Sequence, residues 1–312
     1  MQDYIVLSDS NCELSEALRK RFGMTDYLPA HFVTPDHVDH LADMDWKLYP
    51  DHKEFYRQLT NKKLEFSTAP ASPEECKAKF RPYLEKGIDI IFISLSSALS
   101  GTYSFLMAAK KDLDIEFPDR KIAIIDSMRY SVAVGMLVAK SCEMHQAGVS
   151  FDDNVAWIEE NKRKIHEMGP MDDLFFLSRK GRVAKSAAFM GTLVGVKPLG
   201  DFDAFGMTAV LAKVMGINKA IDVTVEYVKR TIVHPEEQII WLAHTDREKN
   251  ALTLQKRLIE AVHPKETILI TCNPSTAINV GPGLAACYYY GNEILEGNEA
   301  EKAVFASILG TK

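Results

Sequence analysis

The sequence predicts an α/β protein in two domains, an N-terminal domain on a parallel sheet and a C-terminal α+β domain. Three observations carry this. Short apolar runs alternate with helical patterns through the first part of the chain, the signature of parallel strands joined by helical crossovers. Ile88–Ser94 (IDIIFIS) has the composition of a strand buried on both faces. The 312 residues exceed an ordinary single domain of about 100–200 residues. The pattern changes near residues 148–165, so the domains are expected at 1–155 and 156–312.

The elements follow in order. Tyr4–Leu7 reads as the first strand, Glu13–Phe22 as a helix and Leu28–Val33 as a second strand. His37–Tyr49 alternates Val38, Leu41, Met44, Trp46 and Leu48 with polar residues, which suits an inserted hairpin over 36–49 or an irregular loop. Asp51–Leu59 and Pro73–Glu85 are helical, the latter with Ser72 as N-cap and Pro73 at its first position. After Ile88–Ser94 come a helix over Ser100–Leu113, a strand over Lys121–Ile125 and a long helix over Arg129–Gln146, closed by Gly148. Phe151–Met168 reads as one helix capped by Ser150, Asp173–Phe176 as a short strand and Lys185–Leu193 as a helix. Lys197–Leu199 and Met207–Val214 read as strands around a turn-rich GDFDAFG. Then come a helix (Ile217–Thr231), a strand (Gln238–Ala243), a helix (Arg247–Ala261) and two strands (Thr267–Thr271 and Leu284–Tyr290). Glu299–Leu309 is an amphipathic tail expected to pack on the body or to mediate dimers.

Composition narrows the class. Lys plus Arg number 37 and Asp plus Glu 43, a formal net charge of −6. With no basic block, neither nucleic acid nor an anionic bilayer is an expected partner. No run reaches the roughly 18 apolar residues of a membrane span. The longest candidate, Ala184–Val196, is broken by Lys185, Ser186 and Thr192. The start, MQDYIVLSDS, lacks the basic region of a signal peptide. Cys12, Cys76, Cys142, Cys272 and Cys287 are scattered and never form C-x-x-C, the usage of a reducing compartment. A cytoplasmic location is therefore expected. His37 and His40 form H-x-x-H without a third ligand type nearby, so no metal is expected, and no cofactor. There is no P-loop, G-x-S-x-G or Rossmann glycine set.

The strongest local feature is Ile93–Tyr103, ISLSSALSGTY. A buried strand ends, a Ser-rich turn follows and a helix begins. Ser96, Ser97, Ser100 and Thr102 crowd a helix start whose N–H groups and dipole favour an anion, and Gly101 lets an oxygen ligand approach the backbone. One Ser would suffice for capping; four hydroxyls and a glycine point to a carboxylate, a phosphate or another polar head group. Ser67 and Thr68 lie in a second hydroxyl-rich turn, in which capping explains Ser72 alone. Ser178-Arg179-Lys180-Gly181-Arg182 is either a solvated basic loop or a turn that places a guanidinium on a carboxylate. The apolar helix after it is core or the wall of a lipophilic tunnel. Asn279–Gly283 reads as a tight turn; Ser8-Asp9-Ser10 and Asp126-Ser127 either line the same crevice or cap the next helices, with capping the preferred reading.

Together these motifs resemble the DegV family of bacterial fatty-acid-binding proteins. The family's T-D-S strand end is similar to Ser8-Asp9-Ser10, its T-S-Q-P-S turn to Ser67–Ala71, and its S-S-x-L-S-G-T-Y run to Ser96–Tyr103. A D-S strand end followed by spaced Ser and Gly is matched by Asp126, Ser127, Ser131 and Gly135. G-R-[IV]-x-K leading to K-P is matched by Gly181–Lys185 and Lys197-Pro198, and H-x-G-P-G by Asn279–Gly283. The motifs occur in order over roughly residues 4–290.

The resemblance implies one long-chain fatty acid buried in an apolar tunnel between two domains. Its carboxylate would lie on Ser67 or Thr68, Ser97, Ser100 and the Gly101 backbone, among Ser96 and Thr102, with Arg182, Asn279 and Gly281 near it. Some family members present the fatty acid to a partner kinase, so this chain would be a carrier and not the catalyst, a monomer or homodimer without stable membrane insertion. Two positions depart. Asn279 stands where the family has His; it can donate a hydrogen bond but cannot titrate near pH 7. Met215 replaces a basic residue in Lys213-Val214-Met215. Fatty-acid binding tolerates both changes, whereas phosphotransfer with a kinase partner loses two basic groups. The alternative is a phosphotransferase or kinase-type enzyme using the Ser-rich helix start as a phosphate site. A third reading is a lipid sensor that regulates a partner chain.

Overall fold

The computed structural model describes residues 3–172, 174–179, 181–183 and 195–310. In chain order its elements are β1 (Tyr4–Ser8), α1 (Glu16–Phe22), β2 (His31–Val33), β3 (Asp39–Leu41), α2 (His52–Leu59), β4 (Ser67–Ala69), α3 (Pro73–Leu84), β5 (Asp89–Ser94), α4 (Thr102–Glu116), β6 (Ile122–Asp126), α5 (Val132–Gln146) and α6 (Phe151–Asn161). They continue with β7 (Ile165–Met168), α7 (Phe175–Arg179), β8 (Val196–Phe202), β9 (Thr208–Met215), α8 (Ile217–Thr231), β10 (Ile239–His244), α9 (Glu248–Val262), β11 (Glu266–Thr271), α10 (Pro274–Val280), β12 (Ala285–Tyr290) and α11 (Glu299–Leu309). The chain forms two units. The first comprises Met1–Pro50, Lys63–Lys162 and Asn273–Ser275; the second comprises Asp51–Lys62, Arg163–Cys272 and Thr276–Lys312.

The first unit is an α/β layer around the parallel sheet β1-β5-β6. Every residue of β5 is buried, as its apolar run requires of a central strand covered on both faces. Phe80, Leu106, Ala109 and Leu113 of α3 and α4 pack with Leu7, Ile90 and Phe92 of the sheet. The sequence sets α3 sharply. Ser72 Oγ accepts the Glu75 N–H, the Glu75 carboxylate accepts the Ser72 N–H at 2.8 Å, and Pro73 opens the helix. The expected insert over 36–49 supplies β3, which completes a small antiparallel sheet, β3-β2-β4.

The second unit carries a mixed sheet, β11-β10-β12-β7, and the separate hairpin β8-β9. Its core gathers Tyr227, Leu242, Leu254, Leu258, Tyr289 and Phe305. The tail packs on this unit, with Phe305 of α11 stacked on Tyr227 of α8 (centroids 4.5 Å apart) and Ser307 Oγ held by Arg230 at 3.0 Å.

Several expectations are corrected. Phe151–Met168 is not one helix: α6 stops at Asn161, a 3-10 turn covers Lys162–Lys164, and Ile165–Met168 is a strand paired antiparallel with β12. The apolar spacing of Ile158, Ile165 and Met168 continues a helical period, but the sheet's hydrogen bonds override it. The expected strand at Asp173–Phe176 is wrong where it is described, because Phe175 opens helix α7; Asp173 lies outside the described residues. So does the expected helix Lys185–Leu193. Asn279–Gly283 is not a turn throughout, since Asn279 lies in α10 and the turn is Gly281–Gly283. Helices expected from Glu13, Ser100 and Arg129 begin at Glu16, Thr102 and Val132, after turns that hold the site.

Candidate functional site

Parallel strands bring three loops to one edge of the first unit. Ser8 pairs with Ile93 and Ser94 with Asp126, so the residues after β1, β5 and β6 share the carboxyl end of the sheet. That end is where open α/β sheets bind ligands. The loops are sewn together by short hydrogen bonds. Ser8 Oγ–H donates to the Ile93 carbonyl at 2.6 Å, the Ser96 N–H to the Arg129 carbonyl at 2.8 Å, and the Ser127 N–H to the Ser94 carbonyl at 3.1 Å.

The five residues expected in the Ser-rich turn divide by partner. Ser96 is fully buried, and its Oγ accepts the Ala98 N–H at 3.2 Å, which makes it a turn former. Ser97 is exposed, yet its hydroxyl donates to Asp126 Oδ2 and its N–H to Asp126 Oδ1. Its single hydroxyl hydrogen is committed to β6, and Asp126 is a strand-end clamp, not a helix cap. Ser100 Oγ and Thr102 Oγ1 lie 2.9 Å apart, and Ser100 Oγ also accepts the Thr102 N–H at 3.3 Å. One hydroxyl hydrogen closes that pair and the other is left for a second acceptor. Gly101 is the N-cap of the 15-residue α4 and has no side chain to cap it. A Cβ there would meet nothing nearer than Ser104 Oγ at 3.9 Å, so packing does not require a glycine.

Ser67 and Thr68 lie not in the expected turn but on β4, paired with Val33 and Phe32 of β2, whose hydrogen bonds hold them extended. Beside the turns lies a buried polar network that sequence reasoning missed. Glu13, 2 % exposed, accepts the Asn273 N–H at 2.8 Å and the Ser131 hydroxyl at 3.2 Å; Asn273 Nδ2 donates to the Ser10 carbonyl at 2.8 Å. Arg129 is fully buried and donates to the Met128 carbonyl at 2.7 Å. Glu13, Met128 and Ser131 all have φ between 54° and 59°, a left-handed conformation that costs non-glycine residues energy and recurs at functional sites. Gly135 explains the spaced Ser and Gly after Asp126-Ser127: its Cα faces the Cys12 carbonyl so closely that a Cβ would stand 2.2 Å from that oxygen. The available signal was the pairing of Ser131 with Gly135 one helical turn on; the burial of a Glu and an Arg leaves no mark in a sequence.

Arg182, Asn279 and Gly281 belong to the second unit. Arg182 follows α7 and its N–H donates to the Leu177 carbonyl at 2.8 Å. Lys180 lies outside the described residues. Gly281 has φ 77° and lies against Phe176, whose ring a Cβ would meet at 2.2 Å; a Cβ on Gly283 would meet Asp172 Cβ at 2.6 Å. The motif lysine Lys197 bonds Asp172 at 2.7 Å, and Arg247 bonds the same carboxylate through Nε at 2.7 Å. Burial alone would raise the Asp172 pKa, but these two cations hold it below the usual carboxylate range.

Among the described residues, no group of three His, Cys, Asp or Glu side chains is placed to hold a metal, and no helix is long and apolar enough to cross a membrane. All five cysteines are buried, and burial pushes the Cys76 and Cys142 thiols up to about 12, which makes them poor nucleophiles.

Known proteins match this chain along most of its length. A DegV protein of Clostridium perfringens is 29% identical over 292 residues, covering 94% of this chain and 99% of its own. One from Caldanaerobacter subterraneus is 28% identical over 294 residues, covering 93% and 99%. Among solved structures, a fatty-acid-binding DegV family protein of Thermus thermophilus superposes with a TM-score of 0.82 at 23% identity, covering 93% of this chain and all of that one. A DegV family protein of Ruminococcus gnavus, solved with vaccenic acid, gives 0.80 at 21% identity, covering 92% and 100%. At these identities the superpositions establish a shared fold. The model of the DegV family, described as uncharacterised proteins, matches residues 4–292, which take in the Ser-rich turn, the Lys197-Pro198 pair and the glycine turn at Gly281–Gly283; the chain belongs to the DegV family.

Proposed function

We propose that this protein binds one long-chain fatty acid as a non-catalytic carrier, with the carboxylate at the start of α4. The observation that carries the reading is the Ser100–Thr102 hydroxyl pair beside Gly101, at the carboxyl end of a parallel sheet. The pair offers a hydroxyl hydrogen beyond its own needs, and the glycine leaves the helix start accessible to an oxygen ligand. Ser96 and Ser97 shape the turn, and Ser67 and Thr68 are the second hydroxyl pair of the same unit. The acyl chain, in the tunnel that the family resemblance implies, supplies the affinity. Burying 16 carbons at about 0.8 kcal/mol each gives roughly 10 kcal/mol or more before ordering costs. The head group then needs only neutral donors to fix its register.

Structural neighbours that carry stearic acid, heptadecanoic acid and vaccenic acid support the ligand class. Arg182 and Asn279 are assigned to the same ligand from their motifs. Presentation of the acyl group to a kinase partner belongs to the same proposal, with Asn279 as a hydrogen-bond donor rather than a titrating base. Native mass spectrometry of protein purified from cells tests the reading. A retained 14–18 carbon fatty acid is expected. A ligand-free spectrum, with no rise in melting temperature on adding palmitate or oleate, would refute it.

A further inference from the structure

Asp9 follows β1 directly and is 2 % exposed. Its Oδ1 accepts two hydrogen bonds from Asn11, at 2.8 Å from the N–H and 2.9 Å from Nδ2, whereas its buried Oδ2 has no partner. The carboxyl lies against the N–H of Leu95, the residue that leads directly into Ser96–Gly101. On its other side Asp9 bridges to Leu28, and the Ala30 N–H donates to Ser10 Oγ at 3.1 Å, just before β2 pairs with the Ser67–Thr68 strand. Asp9 therefore stands between the two hydroxyl segments.

An ionised carboxylate with a bare buried oxygen is costly, and a second carboxylate beside it would be costlier. Resting on the fatty-acid reading above, we propose that Asp9 is a ligand-binding residue whose carboxyl shares a single proton with the carboxyl group of the bound fatty acid through Oδ2. The pair carries one negative charge and one hydrogen, and the hydrogen belongs to the pair rather than to either group. Below the titration of Asp9 the proton is already present. Above it, binding takes up one proton from solvent. Burial raises the Asp9 pKa to about 6, against the opposing hydrogen bonds of Asn11 and Leu95. The titratable groups that feel its charge are Cys12 after β1 and Cys76 of α3; Glu13 and Arg19 act on Cys12, and Glu74 and Glu75 on Cys76. The cysteines stay neutral through pH 8, because burial raises both thiols.

The test is palmitate affinity between pH 6 and pH 8 for the full chain and for Asp9→Asn. Proton uptake weakens wild-type binding by up to about tenfold per pH unit above the free titration point. Asp9→Asn, which keeps the shape and cannot ionise, should show a profile flatter by at least fivefold across the range. Equal profiles would overturn the proposal. Should Asp9→Asn fail to fold, the carbon-13 shift of the Asp9 carboxyl in the wild-type chain gives the same answer. Its titration must move up by a pH unit or more when palmitate is bound, and an unmoved titration overturns the proposal. Failure of wild type and variant alike to bind palmitate at any pH would instead refute the fatty-acid reading itself.

Discussion

Gly135→Ala is the perturbation whose cost the structure fixes best. Two effects oppose each other. In a helix interior Ala is favoured over Gly by about 1 kcal/mol. Against this, the added Cβ would stand 2.2 Å from the Cys12 carbonyl oxygen, 3.4 Å from its carbon and 3.5 Å from Leu14 Cδ2. The first distance is about 1 Å or more inside ordinary van der Waals contact. The obstructing atom is backbone, so no rotamer change relieves it, and α5 is buried at nearly every position through Cys142, so the helix cannot back away into solvent. Overpacking of this kind costs about 3 kcal/mol. The clash wins, and a net loss of about 2 kcal/mol lowers the melting temperature by roughly 3 °C for a chain of 312 residues that unfolds as one. The displaced turn also carries Asn11 and Glu13, so palmitate affinity should fall with stability. Thermal unfolding with and without palmitate reads both effects. A melting temperature within 1 °C of wild type would refute the packing argument.

Three further outcomes follow from the same reasoning. Gly101→Ala, where a Cβ meets nothing within 3.8 Å and φ is −72°, should leave the melting temperature unchanged, while palmitate binding by calorimetry weakens at least fivefold; unchanged affinity would move the ligand away from α4. Ser100→Ala removes a hydrogen bond to a charged acceptor, worth about 1.5–3 kcal/mol, and should weaken binding roughly 10–100-fold by the same assay. Asp172→Ala takes the shared carboxylate from Lys197 and Arg247, leaving Arg247 only Asp246, and should destabilise by about 1–3 kcal/mol at pH 7 in urea titrations. Since the Asp172 pKa is lowered in the folded chain, its contribution is present above the ordinary carboxylate range and lost as pH falls through the folded value, so wild type and variant should converge in acid. A gap that stays constant with pH would contradict the ion-pair account.

Much of the architecture was legible because its signals are local. The Ser72-Pro73-Glu75 cap, the apolar run at the centre of β5, and the helices Ile217–Thr231 and Glu299–Leu309 each need only a short window of sequence. What failed depends on distant partners. Ile165–Met168 is a four-residue strand because β12, more than a hundred residues later, supplies its hydrogen bonds. Phe175 and Phe176 look like strand residues, yet they open a short helix that packs under Gly281. The site divides in the same way. The hydroxyls at Ser96–Thr102 announce themselves by density, but nothing near Ser97 reveals that Asp126 takes its hydrogen. Asp9 reads as a cap, and it does cap the Ser10–Cys12 turn; the bare second oxygen is a property of the folded environment alone.

The central claim is that a fatty-acid carboxylate sits at the start of α4. A crystal structure of the chain loaded with palmitate tests it most directly. Elongated density for one acyl chain is expected, ending with its carboxylate within hydrogen-bonding distance, about 3.2 Å, of the Ser100–Thr102 hydroxyl pair and beside Gly101. Density whose polar end lies in the second unit, or an acyl chain that leaves Ser100 without a ligand oxygen in reach, would contradict it.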